Sequence, residues 1–295
     1  MKTKKKTVFR GTATALVTPF CNGEIDFTAL ARLIDIQIQS GITALVIGGT
    51  TGEAATLSDG ERYDLYKFCA ECIRGRAKMI LGTGTNDTRV AIQHTKEAER
   101  LGADGALVVT PYYNKGTASG LAAHYEAIAA ATDIPLILYN VPSRTGVNIG
   151  LDVLERLARL DNIVGIKEAS DSHDRLVRVA AFGDDLPLYA GNDSATYTVL
   201  SLGGAGVISV VSNICPDLMR EISDSYFAGR TEESLLAQIK LLPLIEAMFV
   251  ETNPAPVKYA LSRLELCREE MRLPMQEISG ISREKVERAL AEICK

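Results

Sequence analysis

Residues 163–170 read IVGIKEAS, a short run in which Ile163, Val164 and Ile166 surround a lysine, Lys167. So brief a run, rich in β-branched residues, marks a strand covered on both faces, as in a parallel sheet. Side chains alternate across a strand, so Glu168 points away from Lys167 and offers it no partner on its own face. Lysine is almost never fully buried unless paired. Either its ammonium sits at the frayed strand end, stem packed and head in water, or the amine is held inside for chemistry. The rest of the chain has to decide.

Seven more runs of this kind surround it: ATALVTPF (13–20), ALVIGG (44–49), KMILGTG (78–84), GALVVTP (105–111), LILYNVP (136–142), PLYAGND (187–193) and AGVISVVSN (205–213). Between them lie helical patterns. FTALARLIDIQIQSG closes on Gly41, and NDTRVAIQHTKEAERLGADG opens on capping residues and ends on glycine. Strict strand-then-helix alternation implies a parallel sheet with right-handed crossovers. Eight such units predict an α/β fold, a (β/α)8 TIM barrel. A doubly wound sheet would want G-x-G-x-x-G after its first strand, and VTPFCNGE lacks it. Strands stop near residue 230. The expected division is a catalytic barrel over 1–230 and a C-terminal helical region over 231–295, with Thr231 and Ser282 as N-caps and the NPAP at 253–256 as a break.

Bulk properties narrow the functional classes. The 295 residues are 46% hydrophobic and 23% charged, the profile of a globular chain. A net charge of −5 argues against nucleic acid as a partner. No apolar run is long enough to span a bilayer, so no membrane partner is expected. The start, MKTKKKTVFRGT, has the charge of a signal n-region but no apolar stretch after it, because Arg10 and Gly11 interrupt. A cytoplasmic location is therefore expected, with the lysines at 2, 4, 5 and 6 forming a frayed terminus. The six cysteines, at 21, 69, 72, 215, 267 and 294, contain one C-x-x-C, which falls late in a helical pattern. With no second pair and three dispersed histidines, the expectation is reduced thiols, no metal and no cofactor.

Active sites of such barrels lie at the carboxyl ends of the strands. Those ends here carry GGTTGEAATL (48–57), TPYYNKG (110–116), YNVPSRTG (139–146), Lys167 and GND (191–193). On the strand pleat Lys167 shares a face with Gly165 and Ala169, which leaves room at its tip for a ligand. An amine that attacks a carbonyl must be neutral. At the reference pKa of about 10.4, only about one lysine in 2,500 is neutral at pH 7, a handicap near 4.6 kcal/mol. Burial in a barrel mouth reduces that handicap and activates a Schiff-base lysine. The partner carbonyl would then belong to a keto acid. Thr50 and Thr51, with adjacent backbone N–H groups before a helix, form an anion cradle for its carboxylate. Tyr139 and Tyr113 can move protons, and Arg144 can grip a second carboxylate. The GGAG at 203–206 is only a faint phosphate-binding pattern, so phosphosugar substrates are not expected.

Taken in order, GTTGEAATL, TPYYNK, YNVPSRTG, GIKEAS and ETNPAPVKYAL resemble the dihydrodipicolinate synthase family, from about Gly11 to the last helix. The resemblance implies a pyruvate-dependent class I aldolase. It implies condensation of pyruvate with L-aspartate 4-semialdehyde to 4-hydroxy-tetrahydrodipicolinate, in the diaminopimelate route to lysine. By the same resemblance Lys167 forms the Schiff base, Tyr139 shuttles protons with Thr50 and Tyr113, and Tyr113 reaches in from a neighbouring subunit. Thr51 and Thr50 hold the pyruvate carboxylate, Arg144 receives the aldehyde, and Gly191 and Ile208 line the pocket through their backbones. The assembly implied is a homotetramer, a dimer of dimers. N-acetylneuraminate lyase and 2-keto-3-deoxy sugar acid aldolases are similar in the lysine and in GxTGE but usually lack the arginine of YNVPSRTG, so Arg144 favours the synthase. A non-catalytic barrel would show damage in Lys167, Tyr139 or Thr50, and none is damaged. Lysine-inhibited members of the family have a feedback site whose matching positions here are Ala54, Ala55, Asp59, Arg62, Asn86, Val90 and Tyr112. Asp59 and Arg62 stand where histidines are usual, and Val90 where a glutamate is, so weak or absent inhibition by lysine is expected.

Overall fold

The computed structural model describes Lys5 and residues 7–293. Strand β1 (Gly11–Ala15) leads into a small antiparallel hairpin, β2 (Phe20–Cys21) and β3 (Glu24–Ile25). Then follow β4 (Ala44–Ile47), β5 (Lys78–Gly82), β6 (Gly105–Val109), β7 (Leu136–Asn140), β8 (Ile163–Glu168), β9 (Leu188–Ala190) and β10 (Gly206–Ser209). Apart from the hairpin, the strands pair in parallel and in sequence, and β10 returns to β1 to close a barrel. Seven of the eight runs read from the sequence contain a barrel strand, and the first, 13–20, overlaps β1, which begins two residues earlier at Gly11. They overshoot because their final apolar residues already belong to the loops. The hairpin escaped the sequence reading because two-residue strands carry no measurable period. Closure is tight: a Cβ on Gly206 would lie 1.9 Å from the Gly11 carbonyl oxygen, so only glycine lets β10 meet β1 there.

Helices follow the strands: α1 (Phe27–Gln39), α2 (Asp59–Ile73), α3 (Thr88–Arg100), α4 (Ala118–Ala129), α5 (Pro142–Thr145), α6 (Leu151–Leu157), α7 (His173–Ala180), α8 (Thr196–Ser201) and α9 (Pro216–Phe227). Their starts are local chemistry. Asp26 accepts from the Ala29 N–H, Asp87 from the Arg89 N–H, and Ser58 with Glu61 forms a reciprocal capping box. The extension is α10 (Thr231–Met248), α11 (Ala255–Arg263) and α12 (Gly280–Ile293). Neither expected cap there is found. Thr231 is the first residue of α10 and makes no side-chain cap, while the Ser282 N–H itself donates to Ser279 Oγ over 3.4 Å. Among the described residues no helix is long and apolar enough to cross a membrane.

Two apolar layers result. Ala13, Val46, Ile80, Leu107, Ile137, Tyr189 and Ile208 fill the barrel, and a larger shell lies between strands and helices. The amino-terminal end is plugged by Phe9, whose ring stacks on Tyr189 at 4.5 Å while Tyr189 donates to the Phe9 carbonyl over 2.7 Å. Lys5 is not frayed, contrary to expectation. Its Nζ donates to the carbonyls of Ala158, Leu160 and Ile163 at 2.6–2.8 Å, the loose end of α6 and the start of β8. An ammonium among helix-terminal carbonyls is favourable. Lys2, Lys4, Lys6 and Cys294 lie outside the described residues. The cysteines at 21, 69, 72 and 267 are free thiols, and burial pushes the Cys69 and Cys267 thiols up, Cys267 to about 11.

The extension grips the barrel through one buried ion pair. Lys258 of α11 is fully buried and bonds Glu53, in the loop after β4, and the Glu270 carbonyl at 2.7 Å; its Nζ lies 4.2 Å over the Phe20 ring. The Arg272 N–H donates to the other Glu53 oxygen over 3.1 Å. Removing one member of such a pair strands a charge in apolar surroundings, at a cost of about 3–5 kcal/mol, whereas replacing both with apolar groups costs far less. Urea unfolding is therefore expected to show Lys258→Met and Glu53→Leu each losing about 3–5 kcal/mol and the double variant recovering much of it. Simple addition of the two losses would contradict this account.

Candidate active site

The mouth of the barrel holds a cavity of about 540 Å³. Its wall includes Gly48, Gly49 and Thr50 after β4, Tyr139 of β7, Arg144 of α5, and Asn253 with Pro254 from the extension. Lys167 lies beside this wall. It is in register with Tyr139 on β7 and with Tyr189 on β9, so all three point into the barrel. Its Nζ sits 4.4 Å from the centroid of the Tyr139 ring, and the residue is only 6% exposed. The frayed-end alternative is thereby excluded: the ammonium is inside. No hydrogen bond or ion pair is made by Lys167 among the described residues, though Asp193 is near enough to feel its charge.

Asp193 is fully buried, and its Oδ2 accepts from the Val210 and Val211 N–H groups at 3.0 and 3.1 Å. Burial pushes its carboxyl above the usual carboxylate range, against the pull of those bonds and of Lys167. On the opposite face of β8, Glu168 is well partnered. It accepts from Asn140 Nδ2 at 2.8 Å, Arg175 Nε at 3.1 Å and the Ser170 N–H at 3.1 Å. The alternation read from IVGIKEAS thus separates an inward lysine without a bonded partner from an outward, fully engaged carboxylate.

Of the other candidate residues, Thr50, Tyr139 and Arg144 share the cavity wall, whereas Thr51, Gly191, Ile208 and Tyr113 stand outside it. Thr51 is buried, and its Oγ1 accepts from Asn253 Nδ2 over 2.9 Å. Gly191 spends its N–H on the Glu168 carbonyl at 2.8 Å, and a Cβ there would meet the Ala169 Cβ at 2.5 Å. Ile208 is fully buried in β10 opposite Ala13. Tyr113 is apart from all of these: it is 91% exposed and its backbone is left-handed, φ +68°. The outer wall of the same cavity takes in Ala54, Ala55, Asp59, Arg62, Val90 and Tyr112. There Arg62 Nη2 donates to the Ala54 carbonyl over 3.0 Å, and His94 Nε2 contacts Asp59 Oδ1 at 3.2 Å.

Sequence reasoning missed Asn253. Asn253 falls in the helix-breaking NPAP and in the family motif ETNPAPVKYAL, neither of which gives it a role, yet its carbonyl accepts from Arg144 Nη2 over 2.9 Å while its amide reaches Thr51. Asp193 stands in the GND strand end but without an assigned role, and the Glu168 network is unmarked, since nothing local identifies a buried carboxylate's partners.

A profile of the dihydrodipicolinate synthetase family matches residues 8–293. A 4-hydroxy-tetrahydrodipicolinate synthase of Thermotoga neapolitana is 46% identical over 273 residues, 91% of this chain and 93% of that one. Among solved structures, a dihydrodipicolinate synthase variant characterised as monomeric superposes with a TM-score of 0.95 at 44% identity, covering 97% of each chain. The chloride-inhibited dihydrodipicolinate synthase of Acinetobacter baumannii, solved with pyruvate, gives 0.94 at 41% identity, covering 96% of this chain and 98% of that one.

Because the buried Lys167 Nζ makes no hydrogen bond or ion pair among the described residues, removing it gives up only its contact with the Tyr139 ring. Lys167→Met is expected to melt at or above the temperature of the unaltered protein in calorimetry. A large drop in melting temperature would mean that Lys167 is structural.

Proposed function

The chain belongs to the dihydrodipicolinate synthetase family, and from that membership joined to the site we infer that it catalyses the 4-hydroxy-tetrahydrodipicolinate synthase reaction. It is a lyase of lysine biosynthesis that condenses pyruvate with L-aspartate 4-semialdehyde. The observation that carries the chemistry is the buried, unbonded Lys167 amine against Tyr139 beside the cavity. Names borne by relatives of 43–46% identity, together with Arg144 in the wall, weigh against a sugar-acid lyase.

In this reading the neutral Lys167 amine adds to the pyruvate carbonyl. Water leaves, with its protons moved by Tyr139, and an imine forms. Loss of a methyl proton gives an enamine whose carbon attacks the aldehyde. Thr50 and Thr51 hold the pyruvate carboxylate, Gly191 and Ile208, both outside the cavity wall, back the site with their main chains, and Arg144 takes the carboxylate of the second substrate. The test is borohydride reduction in the presence of pyruvate, followed by peptide mapping. A reduced pyruvyl adduct on Lys167, with loss of activity, is expected. Labelling elsewhere, or none on folded protein, would refute the assignment.

The proposed assembly is a homotetramer, a dimer of dimers in which Tyr113 completes the partner's proton relay. Two features support it. Tyr113 is an almost fully exposed aromatic on a left-handed backbone, a conformation uncommon for a bulky residue. Leu235, Leu236 and Ile239 leave a second apolar stripe exposed along α10. One solved relative is monomeric, so the assembly needs its own measurement. Mixing inactive Tyr113→Phe and Lys167→Ala subunits is expected to restore partial activity. Verified hybrids without recovery would mean that each site is complete within one chain.

A further inference from the structure

One residue of the C-terminal extension touches both groups assigned to the two substrates. Asn253 is 5% exposed; its side-chain Nδ2 donates to Thr51 Oγ1 over 2.9 Å, and its backbone carbonyl accepts from Arg144 Nη2 over 2.9 Å. The Thr51 hydroxyl makes no other hydrogen bond among the described residues. A hydroxyl whose oxygen accepts an N–H keeps its own hydrogen for donation elsewhere. A carboxylate can only accept. The amide therefore decides which way round Thr51 is used.

We propose that Asn253 is a positioning residue that fixes the Thr51 hydroxyl as a hydrogen-bond donor to the keto acid's carboxylate. The inference rests on the pyruvate reading above and adds to it the control of polarity in the keto-acid clamp. An amide suits the task because it donates at every accessible pH. An acid in its place would, once ionised, take the Thr51 hydrogen for itself and turn the hydroxyl's lone pairs toward the substrate's carboxylate. Its own negative charge would oppose the substrate as well. The Arg144 bond uses the main chain of Asn253, so side-chain changes at 253 leave it in place.

The measurement is the pyruvate concentration that half-saturates borohydride trapping on Lys167, read on the full-length protein. Asn253→Ala is expected to raise it about 2- to 12-fold, the range for one neutral hydrogen bond. Asn253→Asp is expected to raise it further at neutral pH. That excess over the unaltered protein is expected to shrink as pH falls and the introduced carboxyl takes up a proton, becoming a donor again. Because the introduced charge also repels the substrate directly, the arm that separates polarity control from packing is the one in which the Thr51 hydroxyl is already gone. A second arm does not need the acid variant to fold: Thr51→Val/Asn253→Ala is expected to match Thr51→Val alone within about twofold, because Asn253 acts through the hydroxyl already removed. Additive losses in that cycle, or a pH-independent effect of Asn253→Asp, overturn the proposal while leaving the parent reading standing. Failure of the unaltered protein to trap pyruvate overturns the parent reading itself.

Discussion

The ion pair between Lys258 and Glu53 is the contact on which the site's geometry depends. Glu53 has a left-handed backbone, φ +53°, in the loop that carries Thr50 and Thr51. A side chain with a Cβ holds that conformation at a cost, and it persists only when its surroundings over-determine it. Here they do. Lys258 and the Arg272 N–H take the two carboxylate oxygens, while the Glu53 N–H and carbonyl bond Thr50 and Thr56 within the loop. Arg272 also spans to Glu61 at the head of α2 and holds its carboxyl well below the usual range, at about 2. The loop bearing Thr50 and Thr51 is thus clamped by α11 and by the segment that follows it. Without the extension the loop would keep the bonds from Thr18 Oγ1 to the Gly52 carbonyl and from Arg62 to the Ala54 carbonyl, but the Glu53 carboxylate would lose its partners.

A second constraint operates within β8. Two adjacent charged residues are both buried, and the strand's alternation gives them opposite fates. Glu168, facing outward, is saturated by Asn140, Arg175 and Ser170, and Asn140 in turn binds Asn148 and the Ile149 N–H. That network anchors the strand end rigidly to the two loops beside it. Lys167, facing inward, has an aromatic ring and a distant buried carboxylate for company. An amine that makes no hydrogen bond or ion pair within the described residues is left free to meet a substrate carbonyl. The stability that Glu168 contributes lets the neighbouring position remain unsatisfied.

What could be read from the sequence divides along the same physical line. Seven of the eight strands were legible as apolar runs with β-branched residues, the eighth, in PLYAGND, as an apolar run at the same spacing, and Lys167 because it interrupts one. Interactions between residues far apart in the chain left no local trace. Nothing in MKTKKK tells that Lys5 will cap the end of α6, nor in NPAP that Asn253 will join Thr51 to Arg144. The same holds for helix starts in the extension, where Ser279 rather than Ser282 supplies the accepting oxygen. Tyr113 was legible as a phenol, but its exposure on one chain is a fact of packing.

The two halves of the candidate site also differ in how firmly they are built. Lys167, Tyr139 and Ile208 stand on barrel strands whose backbone bonds run through the closed sheet. Arg144 stands on α5, a four-residue helix, and leans on one carbonyl of the segment before α11. Sites on strands are held more precisely than sites on loops. A nucleophile that must meet a carbonyl at bonding distance needs the firmer support, since a misplacement of about 1 Å can cost about 100-fold in rate. A cation that gathers a carboxylate tolerates looser support, because charge attraction falls off slowly with distance. In the proposed reading the architecture puts the covalent chemistry on the sheet and the capture of the second substrate on the rim, and Asn253 is the residue that joins Arg144 on that rim to Thr51 in the loop after β4.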